Sequence, residues 1–133
     1  MKITNTFFEV NNTQDAPLIK LCKCTGLPAK ASYWLSRLLQ KLEPLNVIYN
    51  TERQKLIEKW CDKKPDGTPD TENEQYRFTT HMKEFNAEYQ ELLSIEIDPG
   101  MEIIKISLDK IPAGVLNSFD YNRLAEIVEF MED

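Results

Sequence analysis

Cysteine, glycine and histidine are all scarce in this chain. There are three cysteines, four glycines and a single histidine, His81, in 133 residues. An odd, small cysteine count excludes a disulfide framework and fits a reducing cytoplasm. The pair Cys22-Lys23-Cys24 has one intervening residue. Structural zinc sites space their cysteines by two to four, and a redox pair wants two. On a helix the two side chains diverge by about 200°. Cys22 therefore reads as a small hydrophobe and Cys24 as a residue near a helix end, with no metal expected at either. The glycines stand apart at Gly26, Gly67, Gly100 and Gly114. Isolated glycines cannot build a Walker or dinucleotide phosphate loop, and no cofactor motif is present. His81 has Thr79 and Thr80 beside it but no nucleophile, so no catalytic residue is expected and the chain reads as a non-enzyme.

Long apolar runs are missing as well. None approaches the 18–20 or so residues of a membrane span. The opening "MKITNTFFEV" has no apolar core or small-residue cleavage site of a signal peptide. The expected location is the cytoplasm. Positive charge is also in deficit, at −6 net. That disfavours wrapping a nucleic-acid backbone and suits protein or small-molecule partners. Asp62, Asp66, Gly67, Thr68 and Asp70 faintly echo a calcium loop. Lys64 stands at the third ligand position and Asn73 at the closing glutamate, so the stretch reads as a solvated loop.

What is present is helical periodicity. From Ala29 to Cys61 the residues Ala31, Leu35, Leu38, Leu42, Leu45, Tyr49 and Leu56 form an apolar seam. Trp34, Leu39, Ile48 and Trp60 widen it. Pro44 lies inside, which predicts a kink near Glu43 or a split into Ala29–Leu42 and Leu45–Trp60. The kink is preferred because the seam keeps phase. Met82, Phe85, Tyr89 and Leu92 predict a second helix, capped by Thr80 and antiparallel to the first. Met1 to Val10 reads as a strand ended by the turn "NNTQD". Ala16 to Cys24 reads as a short helix capped by Asp15, and "YRFTT" as a short strand. Ile95–Leu108 reads as a hairpin turning at Asp98-Pro99-Gly100. A last helix is expected from about Phe119 to Met131, capped by Ser118 or Asn117. It would bury Leu124, Ile127, Val128 and Met131. The fold class is α+β in one domain, 1–133. A long kinked helix packs antiparallel on a shorter one, with a small sheet of N-terminal strand plus hairpin and a C-terminal helix.

Two residue sets suggest surfaces. Tyr33 and Val47 fall outside the seam, and with Trp34, Arg37 and Trp60 they form a candidate partner-binding set. Arg53, Lys59, Lys63 and Arg77 form an alternative anion or nucleotide site. Cations at the end of the long helix also complement its negative pole, and Lys55, Lys59, Lys63 and Lys64 suit that role. The short partner helix spans about 20 Å and the long one about 50 Å. The uncovered seam predicts a homodimer or larger oligomer built on the long helix.

"LPAKASYWLSRLLQKLEPL…ERQKLIEKWCDKKPDG", then "EFNAEYQELLSIEID" and "IKISLDKI", resembles an uncharacterised family of small bacteriophage-encoded proteins. The likeness spans about Leu27 to Ile111. Pro44 departs from the uninterrupted helix of that pattern. The resemblance implies a viral or prophage origin and carries no activity and no functional residue. The function expected is that of a non-enzymatic protein-interaction protein, in virion assembly or against a host protein, located in the host cytoplasm or the virion. The alternative is a small-molecule or nucleotide binder that sequesters a host defence signal. A pocket of Lys, Arg and aromatics would distinguish the second from the first.

Overall fold

The computed structural model describes residues 1–10 and 16–132. The fold is α+β, dominated by one long helix. A short strand β1 (Ile3–Thr4) leads into helix α1 (Thr6–Val10), then α2 (Pro17–Cys22) and the long α3 (Ala29–Trp60). A tight hairpin, β2 (Thr71–Glu72) and β3 (Gln75–Tyr76), precedes α4 (Met82–Ser94). Then come β4 (Glu96–Ile97), β5 (Ile104–Ser107), a 3-10 turn at Leu108–Lys110, α5 (Ser118–Leu124) and β6 (Val128–Met131).

The seam of α3 is the spine of the core. Ala31, Leu35, Leu38, Leu42, Tyr49 and Ile57 are buried, while Leu45 and Leu56 are half-buried. The helix is continuous over 32 residues and is not split at Pro44. Proline there removes the N–H that would bond the Gln40 carbonyl, and its ring crowds that turn. Pro44 is exposed, so no core packing depends on its ring. Pro44→Ala should therefore stabilise the protein by about 1–3 kcal/mol, less any loss from a freer unfolded chain. Urea denaturation of the two proteins measures this directly.

Helix α4 lies antiparallel against the C-terminal half of α3. Tyr49 meets Tyr89 near one end, and Trp60 meets His81 near the other. Thr80 does not cap α4; His81 occupies the N-cap position and makes no side-chain cap bond. Asp62 fixes the segment that leads into the helix, its carboxylate accepting from the N–H groups of Thr79 (3.0 Å) and Thr80 (3.3 Å) and from the Thr79 hydroxyl (2.5 Å).

The N-terminal half of α3 is covered by α2 and β5. Leu18, Leu21, Ile104, Ile106, Leu124, Ile127 and Val128 join its seam residues in one core cluster. The chain thus covers the buried positions of its seam, while Tyr33, Trp34, Leu39, Val47 and Ile48 around it stay exposed.

Three sequence expectations are corrected. The N-terminal strand is two residues long and gives way to α1, because adjacent Phe7 and Phe8 are both buried. A half-exposed strand would send one of them outward. The Ile95–Leu108 hairpin does not form. Its first arm, β4, pairs antiparallel with β1 (Ile3↔Ile97), and its second, β5, pairs parallel with β6 (Ile104↔Val128 to Ser107↔Met131). The C-terminal helix stops at Leu124 instead of Met131. Leu124, Ile127 and Val128 are buried as expected, but the last two belong to a turn and strand, and Met131 is exposed. A short apolar run with β-branched residues fits either period, and the free edge of β5 decides it. Asn117 does cap α5, in a reciprocal capping box with Asp120. The expected turn "NNTQD" and the Asp15 cap lie outside the described residues; Ala16 is the N-cap residue of α2.

Candidate functional site

Lys30, Trp34, Arg37 and Lys41 follow one another at spacings of four, three and four, so they share one flank of α3. They form one wall of an open groove of about 810 Å³. The segment from Gly100 to Lys105 forms the other, bringing Met101, Ile103, Lys105 and Glu102. Lysine and arginine contribute four positive charges to this lining and Glu102 one negative. On a chain of net charge −6 this is a local reversal of sign. Among the described residues none of the four cations is in an ion pair, whereas Lys20, Lys55, Lys59 and Arg77 all are. Arg37 and Lys41, one turn apart, repel each other by a few tenths of a kcal/mol.

Trp34 is 41% exposed and sits amid these charges. The ring of Tyr33 meets its indole edge-on, 5.2 Å away. Gly100 supports the other wall. Its φ of +71° suits glycine, and its N–H bonds Asp98 at 2.8 Å to close the turn. A β-carbon there would lie 3.8 Å from the Lys41 ammonium. The turn thus brings its backbone close to that cation.

The partner-binding set is divided by the fold. Trp34 and Arg37 line the groove and Tyr33 packs edge-on against Trp34 beside it, while Val47 stands 60% exposed further along α3. Trp60 is engaged elsewhere, its indole N–H donating to Glu88 at 2.5 Å. The four residues of the anion-binding alternative are not brought together around a common opening. Lys59 pairs with Glu88 at 2.9 Å and lies over the Trp60 ring. Lys63 donates to the Glu58 and Cys61 carbonyls, closing the end of α3 as a helix-terminal cation does. Arg77 faces Asp70 and Glu72. Arg53 lies within electrostatic reach of Tyr89, Glu9 and Tyr49.

Those last residues belong to a polar cluster the sequence reading missed. Glu9 accepts from Tyr49 (2.6 Å) and Tyr89 (2.5 Å) on one oxygen. These two bonds hold the Glu9 carboxyl below its usual range, and Arg53 helps. Burial first, and the Glu9 carboxylate second, push the Tyr49 phenol far up. The cluster ties α1 to α3 and α4. Its members are 40 or more residues apart in the pairs involving Glu9, so no spacing reveals it.

The cysteines remain free thiols, with Cys22 and Cys24 half-buried and Cys61 buried. Burial pushes the Cys22 thiol up, away from the reactive thiolate. Asp66, in the calcium-like loop, spends its carboxylate on Thr68. Among the described residues no three of His, Cys, Asp and Glu converge as a metal site, and no helix is long and apolar enough to cross a membrane.

Comparison with protein-family models, curated proteins and solved structures finds no match.

Proposed function

We propose that this chain is a non-enzymatic binding protein whose basic groove holds a small anionic ligand. The observation that carries this reading is the set of four cations around an exposed indole, none of them in an ion pair among the described residues, on an otherwise acidic chain. Lysine and arginine supply charge and hydrogen bonds, and tryptophan supplies a flat apolar face. These groups attract and orient a ligand. The groove volume lies within the range of small-molecule sites, about 300–1,000 Å³. Were the chain phage-encoded, as the resemblance implies, holding such a ligand without converting it would amount to sequestration.

Removing Arg37 and Lys41 should weaken binding sharply. A hydrogen bond to a charged group contributes about 1.5–3 kcal/mol, so two lost contacts weaken binding by a hundredfold or more. Native mass spectrometry after incubation with the small-molecule fraction of a cell extract should show an adduct on the wild type. Arg37→Glu/Lys41→Glu should lose that adduct while melting near the wild type, since both side chains are exposed. A bare wild-type mass with unchanged Trp34 emission would overturn the reading.

A second reading rests on the exposed apolar residues of α3. Tyr33, Val47 and Ile48 are 57–60% exposed along α3. Isolated apolar side chains are ordinary on a surface, but several on one helix suit contact with a protein partner or a second copy. Light scattering of the wild type and Val47→Glu/Ile48→Glu tests it, because only a real interface changes mass on substitution.

A further inference from the structure

We infer that the groove's ligand is a nucleoside phosphate, its base stacked on Trp34 and its phosphate held by Arg37 and Lys41. The inference rests on the anionic-ligand reading above and specifies the ligand class. Along α3, Arg37 lies about 4.5 Å and Lys41 about 10.5 Å beyond Trp34, at 1.5 Å rise per residue. An aromatic face and a two-cation seat are thus arranged in sequence along one wall. A molecule with a planar ring at one end and a phosphate at the other matches that order.

The opposite wall completes the ring site. Met101 and Ile103 line the groove across from the helix, and Ile103 is 39% exposed. A thioether and a branched aliphatic chain are suited to cover the second face of a ring whose first face lies on an indole. Tyr33 lies edge-on against the indole, 5.2 Å away. At the phosphate end, the glycine turn leaves the Lys41 ammonium uncovered by any side chain at position 100. Arginine offers a planar fork of donors and lysine a point charge, a combination that binds phosphate oxygens well.

The charge of the whole chain separates a nucleotide from longer polyanions. A nucleic acid or an extended acidic peptide must leave the groove and run over a surface of net charge −6. Repulsion there reaches about 8–10 Å at ordinary ionic strength. A single nucleotide stays within the local positive field and avoids it.

Isothermal titration with four probes tests this: a mixture of the common ribonucleoside diphosphates, inorganic pyrophosphate, a mixture of the free nucleosides, and hexaglutamate. The diphosphates should bind at least tenfold tighter than pyrophosphate or the nucleosides, because both subsites contribute. Trp34→Ala should bring diphosphate affinity down roughly 5- to 150-fold, toward that of pyrophosphate, as loss of one base–aromatic stack does. Arg37→Gln/Lys41→Gln should bring it toward that of the nucleosides. Pyrophosphate binding as tightly as the diphosphates, or hexaglutamate binding tightest, would overturn the nucleotide assignment and leave an anion-binding groove. If all four probes fail while a small-molecule adduct is still captured from extract, the nucleotide assignment falls alone. If probes and extract both fail, the anionic-ligand reading falls with it.

Discussion

Leu38→Ala should lower the unfolding free energy by about 2–5 kcal/mol. Leu38 has no exposed surface and sits mid-seam between Leu35 and Leu42 on α3, in the core cluster that also holds Ile104, Ile106 and Leu124. Truncation removes four carbons' worth of side chain less one, and the rigid neighbours close only part of the space. A domain of this size is stable by about 5–15 kcal/mol, so the loss is a large share of the total. Val47→Ala on the same helix is the internal control. Val47 is 60% exposed, and its truncation should stay within about 0.5 kcal/mol. Urea denaturation gives both values. Equal midpoints for the two variants would mean that the seam does not carry the core.

Asp120→Ala should cost about 2–4 kcal/mol near neutral pH. The Asp120 side chain is 4% exposed and accepts from the Lys20 ammonium and from the Asn117 N–H, each at 3.0 Å. In return its own N–H donates to the Asn117 side chain at 2.9 Å. Substitution removes half of the capping box of α5 and leaves Lys20 facing a partly buried gap. Because α5 connects β5 to β6, its loss also loosens the parallel pair beyond it. Burial disfavours the Asp120 charge, but the Asn117 N–H and Lys20 outweigh it and hold the carboxyl below its usual range. The folded value is thus depressed relative to an unfolded one of about 3.9. Its stabilisation is complete above that pH and lost as pH falls toward and through the folded value. The wild type and Asp120→Ala should therefore differ most above about pH 5, with the gap shrinking toward pH 2–3. Thermal melts across that window measure it. A gap constant with pH would mean that the charge of Asp120 contributes nothing. Glu9 titrates in the same direction, so the wild type should lose stability in acid from two places.

Periodicity alone located α3 and α4, because a 3.6-residue repeat is a local property of the chain, but of the expected α4 stripe only Leu92 is buried and Met82 is exposed, and the buried Ile57 of α3 lay outside the expected seam. Ala31, Leu35, Leu38, Leu42 and Tyr49 followed from spacing, and all are buried. The α+β class and the Asn117 cap were legible for the same reason. Strand pairing was not. Nothing within Ile95–Leu108 tells β4 to seek β1, or β5 to seek β6; those choices depend on which edges are free once the helices have packed. The short Val128–Met131 run was equally ambiguous until β5 offered it a partner. Half of the groove was in plain sight, since Lys30, Trp34, Arg37 and Lys41 already share a helix flank by their spacing. The other half comes from Gly100 to Lys105, about sixty residues further on, and only packing sets it opposite Trp34. Tertiary structure also decided which cations are free. Lys59, Lys63 and Arg77 looked as available as Arg37 and Lys41 in the sequence, but the fold supplies Glu88, the end of α3, and Asp70 with Glu72 to engage them. A charge is available to a ligand only where folding has brought no partner to it, and that depends on contacts between residues far apart in the chain.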